Sequence, residues 1–260
     1  MRFILLFLIA GAIQAQSPFG VNRDLSTYQI NDYKAFHLLS DNPRYFSVIN
    51  EPFLSPNAGS ATIGIYGWLR ASVGAASGFA DSQNMDANAV DGYYLLSSGT
   101  AANTGQVIYL GNIGVGTATV YLRVNFSSLS NAIYIIGFGD SITGSAGSRD
   151  HTNNGVEVIV DTGVGNTFIL KSENGAGNIT ETVGSTVLST NTWYNLRLEI
   201  ESSKIELYLN GSLEATVTTN IVSSTQPIRP LCRVNTLDTV NKQMKIDHFQ
   251  MIRSLDKGAW

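Results

Sequence analysis

The stretch from Trp193 to Thr219 constrains this chain more than any other part of it. Tyr194, Leu196, Leu198 and Ile200 alternate with Asn195, Arg197, Glu199 and Glu201, so an extended strand there has one apolar and one polar face. Ser202-Ser203 supplies a turn, and Ile205, Leu207 and Leu209 alternate again. Asn210-Gly211 then provides the pair of positive-φ residues that a tight hairpin prefers, and Ala215 and Val217 return as a third strand. Antiparallel strands with one oily face need a second sheet to cover it. The pattern predicts an all-β protein, a two-sheet antiparallel β-sandwich.

The rest of the chain agrees. Strand signals come one after another over Ala61–Arg70, Gly92–Ser97, Gln106–Gly111, Thr117–Asn125, Ala132–Gly139, Val156–Asp161 and Thr167–Lys171. They resume over Trp193–Glu201, Lys204–Asn210, Leu213–Thr219, Arg229–Val234 and Gln243–Arg253. Turn-formers such as Asn153-Asn154-Gly155 and the run Asn174 to Asn178 separate them. Many short strands without a long helix point to a sandwich or barrel and not to βαβ units. Only 14% of the residues are charged and the formal net charge is −4, which excludes the basic stripe a nucleic-acid binder needs.

The N-terminal part reads differently. Met1-Arg2 precedes the apolar run Phe3 to Ile13, and Ala12-Ile13-Gln14-Ala15 places small residues where a signal peptide is cleaved. The run is too short to cross a bilayer core of roughly 30 Å, and no later stretch reads as a transmembrane segment. Residues 16–60 read as an irregular arm or linker, with a short helix predicted over Tyr28 to Leu39. Pro43, Pro52 and Pro56 interrupt the remainder of that arm. The expected division is therefore signal peptide 1–15, arm 16–60 and sandwich 61–260, with export to the extracellular space or a cell surface. Cys232 is the one cysteine, so an internal disulfide is impossible, and its apolar surroundings read as a buried strand.

Several of these segments resemble a known family. Trp193-Tyr194-Asn195-Leu196-Arg197-Leu198, with Leu207-Tyr208-Leu209-Asn210-Gly211 after it, resembles the paired strands of concanavalin-A-like and laminin-G-like jelly rolls. Ile136-Gly137-Phe138-Gly139-Asp140, Asn154-Gly155-Val156-Glu157-Val158 and Met244-Lys245-Ile246-Asp247-His248-Phe249 resemble the subgroup found in bacteriophage tail and virion structural proteins. The similarity covers about Gly92 to Ile252. It implies a concanavalin-A-like jelly roll with an irregular N-terminal arm, and a virion setting if the source is viral. A shared fold hosts unrelated activities, so it implies little about chemistry.

Enzymes of the laminarinase type on this fold carry a Glu-x-Asp-x-(x)-Glu strand. The nearest match, Glu199-Ile200-Glu201, lacks the middle Asp and lies opposite the apolar face, so it reads as a solvated surface and no catalytic residue is assigned. The histidines, His37, His151 and His248, stand in no catalytic frame. For carbohydrate binding, Tyr93, Tyr94, His151, Asn153 and Asn154 are the candidates, because sugars are held by rings against C–H faces and by amides against hydroxyls. Trp68 and Trp193 read as packing residues. Asp140 and Asp150, in the long loop Asp140 to Gly155, are candidate ligands for calcium, which takes hard oxygen donors. The sequence thus predicts a non-catalytic module that recognises a surface glycan or assembles with other subunits, with homo-oligomerisation through the arm. A secreted polysaccharide hydrolase or lyase and a purely structural subunit are the alternatives.

Overall fold

The computed structural model describes residues 46–51, 62–63, 66, 68–73, 93–114, 116–142, 147–150, 152–175 and 177–254, and every regular element among them is a strand. The leader-like Met1–Ala15, the Tyr28–Leu39 helix and most of the arm lie outside these residues. Two antiparallel sheets are formed. The smaller contains β1 (Phe46–Glu51), β4 (Tyr94–Ser97), β7 (Thr117–Phe126), β12 (Trp193–Ile200), β13 (Ile205–Leu209), β14 (Ser212–Val217) and β16 (Gln243–Ser254). Its order is β1-β16-β7-β12-β13-β14, with β4 also paired to β16. The larger contains β2 (Thr62–Ile63), β3 (Trp68–Val73), β5 (Thr104–Tyr109), β6 (Ile113–Gly114), β8 (Ala132–Gly139), β9 (Asn154–Asp161), β10 (Ile169–Asn174), β11 (Ile179–Val183) and β15 (Pro227–Thr236). Its order is β11-β10-β9-β8-β15-β5-β3-β2, with β6 on β15.

Alternation sorts the side chains as the sequence predicts. Tyr194, Leu196, Leu198 and Ile200 of β12 and Ile205, Leu207 and Leu209 of β13 are buried in the layer between the sheets. They meet Tyr134, Ile136 and Phe138 of β8 and Val156, Val158 and Val160 of β9 in the same layer. An aromatic group anchors it, with Phe126 centred 4.7 Å from Tyr134 and 6.3 Å from Tyr194. The buried hydroxyls stay satisfied: Tyr134 donates to the Ser128 carbonyl at 2.7 Å, and Tyr194 accepts the Ser189 amide at 2.6 Å. Trp68 is fully buried and meets Phe249 edge-on at 5.0 Å, as a packing residue should. The Asn210-Gly211 hairpin forms with φ of 49° and 91°.

Two features differ from the expectation. Phe46–Glu51 falls inside the stretch read as an arm, yet it is a strand paired with Phe249–Ser254 of β16. In the sequence Pro43 precedes it and Pro52 follows it, and the prolines hide the short strand between them. The larger sheet is also apolar on its outer face. Val73, Val107, Ile133, Ile135, Ile159, Ile169 and Leu231 form a second buried cluster there. β8 is accordingly buried at every position, the mark of a strand covered on both faces.

Candidate functional site

The outward side chains of the smaller sheet gather rings and cations at one place. Trp193 of β12 pairs with Asn125 of β7, and Asn125 pairs with Lys245 of β16, so the three lie in one row across the sheet. Tyr93, the residue before β4, brings its ring to 6.1 Å from that of Trp193. The Arg123 guanidinium lies 4.7 Å from the Trp193 ring centre, and Lys245 Nζ lies 4.9 Å from that of Tyr93. Both rings are half-exposed.

A break in the sheet creates this place. β4 pairs with Gln243–Ile246 of β16 and β1 with Phe249–Ser254, leaving Asp247 and His248 between the two partners. The pairing of β16 with β7 shifts register between Ile246 and His248. Such a bulge re-aims side chains. Ile246 and Phe249 stay in the core, while Asp247 joins the outer face and its Oδ2 takes Arg123 at 2.8 Å. Asn125, in the same row, is only 3% exposed and its Oδ1 accepts no hydrogen bond. The same burial removes the Asn125-Phe126-Ser127 sequon as a point of glycan attachment.

The sequence candidates are dispersed. Tyr93 belongs to the patch. Tyr94, one residue on, points the opposite way into the core, and burial pushes its hydroxyl up to about 12 against the opposing influence of Arg70. His151 lies outside the described residues. Asn153 is exposed and Asn154 half-buried, and both organise the loop around Asp140: the Asn153 amide donates to Oδ1 at 3.0 Å and Asn154 Nδ2 to Oδ2 at 2.9 Å. Burial raises the Asp140 pKa, but donors from Thr152, Asn154 and Asn153 outweigh it and hold the carboxyl below its ordinary value. Asp150 is bound instead by Lys171 at 2.7 Å. The two carboxylates read as calcium ligands are thus engaged by separate donors, and no group of metal-binding side chains gathers among the described residues. Glu199 sits on the outer face in an ion pair with Arg197 at 2.8 Å. Cys232 is in the core, where burial pushes its thiol up and leaves it inert. Trp193 is the packing residue that proves to be on the surface.

A second constellation escaped sequence reading. On the outer face of the larger sheet, Lys171 of β10 stands opposite Glu157 of β9. Its Nζ lies 2.9 Å from Glu173, 3.8 Å from Glu157 and 2.7 Å from Asp150. Arg233 of β15 joins them and donates from Nε to Asn235 at 3.1 Å. Gly137 of β8, opposite Glu157, has φ of +146°, and a Cβ there would fall 2.2 Å from the Val156 carbonyl, so no larger residue fits beneath this group. Burial is the main influence on Glu157 and, against Lys171 and Arg233, pushes its carboxyl up to about 8.

No protein-family model matches the chain, and no curated protein matches its sequence. Solved structures do match in shape. A β-glucanase of Bacillus licheniformis aligns with a TM-score of 0.54 at 15% identity, over 81% of this chain and 99% of that one. The carbohydrate recognition domain of Emp47p aligns at 0.51 and 11% identity, over 79% and 95%. A binding domain of botulinum neurotoxin DC, in complex with rat synaptotagmin II, aligns at 0.50 and 13% identity over 81% of this chain and 49% of that one. The fold is the concanavalin-A-like jelly roll. The chain spans about half the length of the neurotoxin domain, 49%. At these identities the likeness concerns the fold alone.

Proposed function

We propose that this chain is a non-catalytic carbohydrate-recognition module, with the patch around Tyr93 and Trp193 as its binding face. The observation that carries the reading is the half-exposed ring pair of Tyr93 and Trp193, 6.1 Å apart at the outer face of the smaller sheet. Rings on a sheet surface stack against the C–H faces of a sugar, and the amides and cations around them meet its polar groups. Neighbours of the same fold include a carbohydrate recognition domain, which supports the reading. The leader-like start and the resemblance to virion proteins support work outside a cell or on a virion surface, with assembly through the N-terminal segment as part of the same proposal.

Glycan-array binding and then calorimetry on the whole chain test this. Trp193→Ala is expected to abolish glycan binding while costing the fold no more than about 1 kcal/mol, the scale of a surface ring with one cation–π contact. Unchanged binding in that variant would strip the patch of its role.

The alternative of a polysaccharide hydrolase or lyase has one observation in its favour. Glu157 and Glu173 share an ammonium, and one carboxyl is held protonated near neutrality, as a general acid must be. Yet they are 0% and 2% exposed, closed to a sugar chain. Turnover that disappears in Glu157→Gln would reverse the order of the two readings.

A further inference from the structure

The cations of the patch narrow the class of sugar. Lys245 is half-exposed, rests over the Tyr93 ring at 4.9 Å and has no carboxylate partner among the described residues. Arg123 spends one nitrogen on Asp247 at 2.8 Å, and its side chain is still 42% exposed. A guanidinium carries five N–H donors, so several remain for a ligand. Among the described residues the patch therefore sets two cations, Arg123 and Lys245, against one carboxylate, Asp247. The neighbouring ion pairs differ: Arg197 is matched by Glu199 and Lys204 by Glu206. An excess positive charge beside two rings is left uncompensated by a neutral sugar.

We propose that the Tyr93–Trp193 face recognises an acidic glycan, a polymer of hexuronic acid, with the sugar carboxylate held by Lys245 and Arg123. This deepens the carbohydrate-recognition reading and rests on it. The ring pair takes the apolar face of one uronate residue. Charge-assisted hydrogen bonds to a carboxylate are about twice as strong as neutral ones, so the acid group decides the preference. Asp247 holds Arg123 in place and, as a like charge, rejects sugars that carry their acid on the wrong side.

The test is calorimetry on the whole chain with hexuronic acid oligomers and with the same oligomers after reduction of their carboxyls to hydroxymethyl groups. The unmodified chain is expected to prefer the acidic oligomer by about tenfold or more, a preference that shrinks as salt rises. Lys245→Gln should bring the two affinities together, and Trp193→Ala should weaken both. Equal affinity for both oligomers in the unmodified chain would overturn the acidic assignment while leaving carbohydrate recognition intact. Binding of neither oligomer, with other glycans captured through Trp193, would do the same. Binding of polyglutamate as tightly as of the uronate would also overturn it, since charge alone would then suffice.

Discussion

Lys171→Met is expected to destabilise the fold by about 3–5 kcal/mol at pH 8, and by clearly less at pH 5. The ammonium is almost wholly buried and touches Glu173 at 2.9 Å and Asp150 at 2.7 Å, with Glu157 at 3.8 Å. Removing it leaves carboxylates without their cation in a dry site. Of the charges that face Glu157, Lys171 and Arg233 are positive and Glu173 and Asp150 negative, so this group is neutral only with Glu157 protonated. Its folded pKa, about 8, lies above the ordinary 4.5. Protonated Glu157 therefore stabilises the folded chain fully below about pH 4.5, and the contribution is lost as pH rises through about 8. In Glu157→Gln that slope should vanish, leaving a variant at least as stable as the parent at pH 9. Urea titrations at pH 5, 7 and 9 check both variants. A Lys171→Met loss that is independent of pH, or a Glu157→Gln variant that keeps the slope, would mean the group does not work as one charge cluster.

The second large effect separates the two faces of one sheet. Phe126→Ala should cost about 3–5 kcal/mol, because it empties the centre of the Tyr134, Phe168 and Tyr194 group. Phe126 is the chain neighbour of Asn125, which pairs with Trp193. Two aromatic residues from adjacent strands thus have opposite assignments, one structural and one for ligand. Denaturation midpoints measured beside glycan affinity should show Phe126→Ala failing in stability and Trp193→Ala failing in binding. Comparable stability losses in both would place Trp193 in the core.

The C-terminal strands were legible because they carry one apolar and one wet face: 193–201, 204–210 and 213–219 were expected and Trp193–Ile200, Ile205–Leu209 and Ser212–Val217 are found. The same parity puts Trp193 with Asn195 and Arg197 on the outer face, a signal that its size as a packing residue obscured. In the larger sheet the elements could be read but their faces could not. Val156 to Val160 is apolar on both sides, and nothing in that strand alone tells that Glu157 within it is buried. Only the pairing of β9 with β10, and of β8 with the distant β15, brings Lys171 and Arg233 to it. β11, Ile-Thr-Glu-Thr-Val, is a half-exposed edge strand with no continuous apolar face, and no strand was expected there. The bulge at Asp247 is a slip of register between strands, which alternation within one strand does not reveal.

Where a glycan meets the sandwich is the decisive question, and amide chemical-shift mapping of the labelled chain during titration with a bound oligosaccharide reads that directly. Shifts concentrated at Tyr93, Arg123, Asn125, Trp193 and Lys245 are predicted, with the Asp140–Asn154 loop unmoved. Shifts that cluster instead in that loop or on β9 and β10, with Trp193 silent, would contradict the assignment of the binding face.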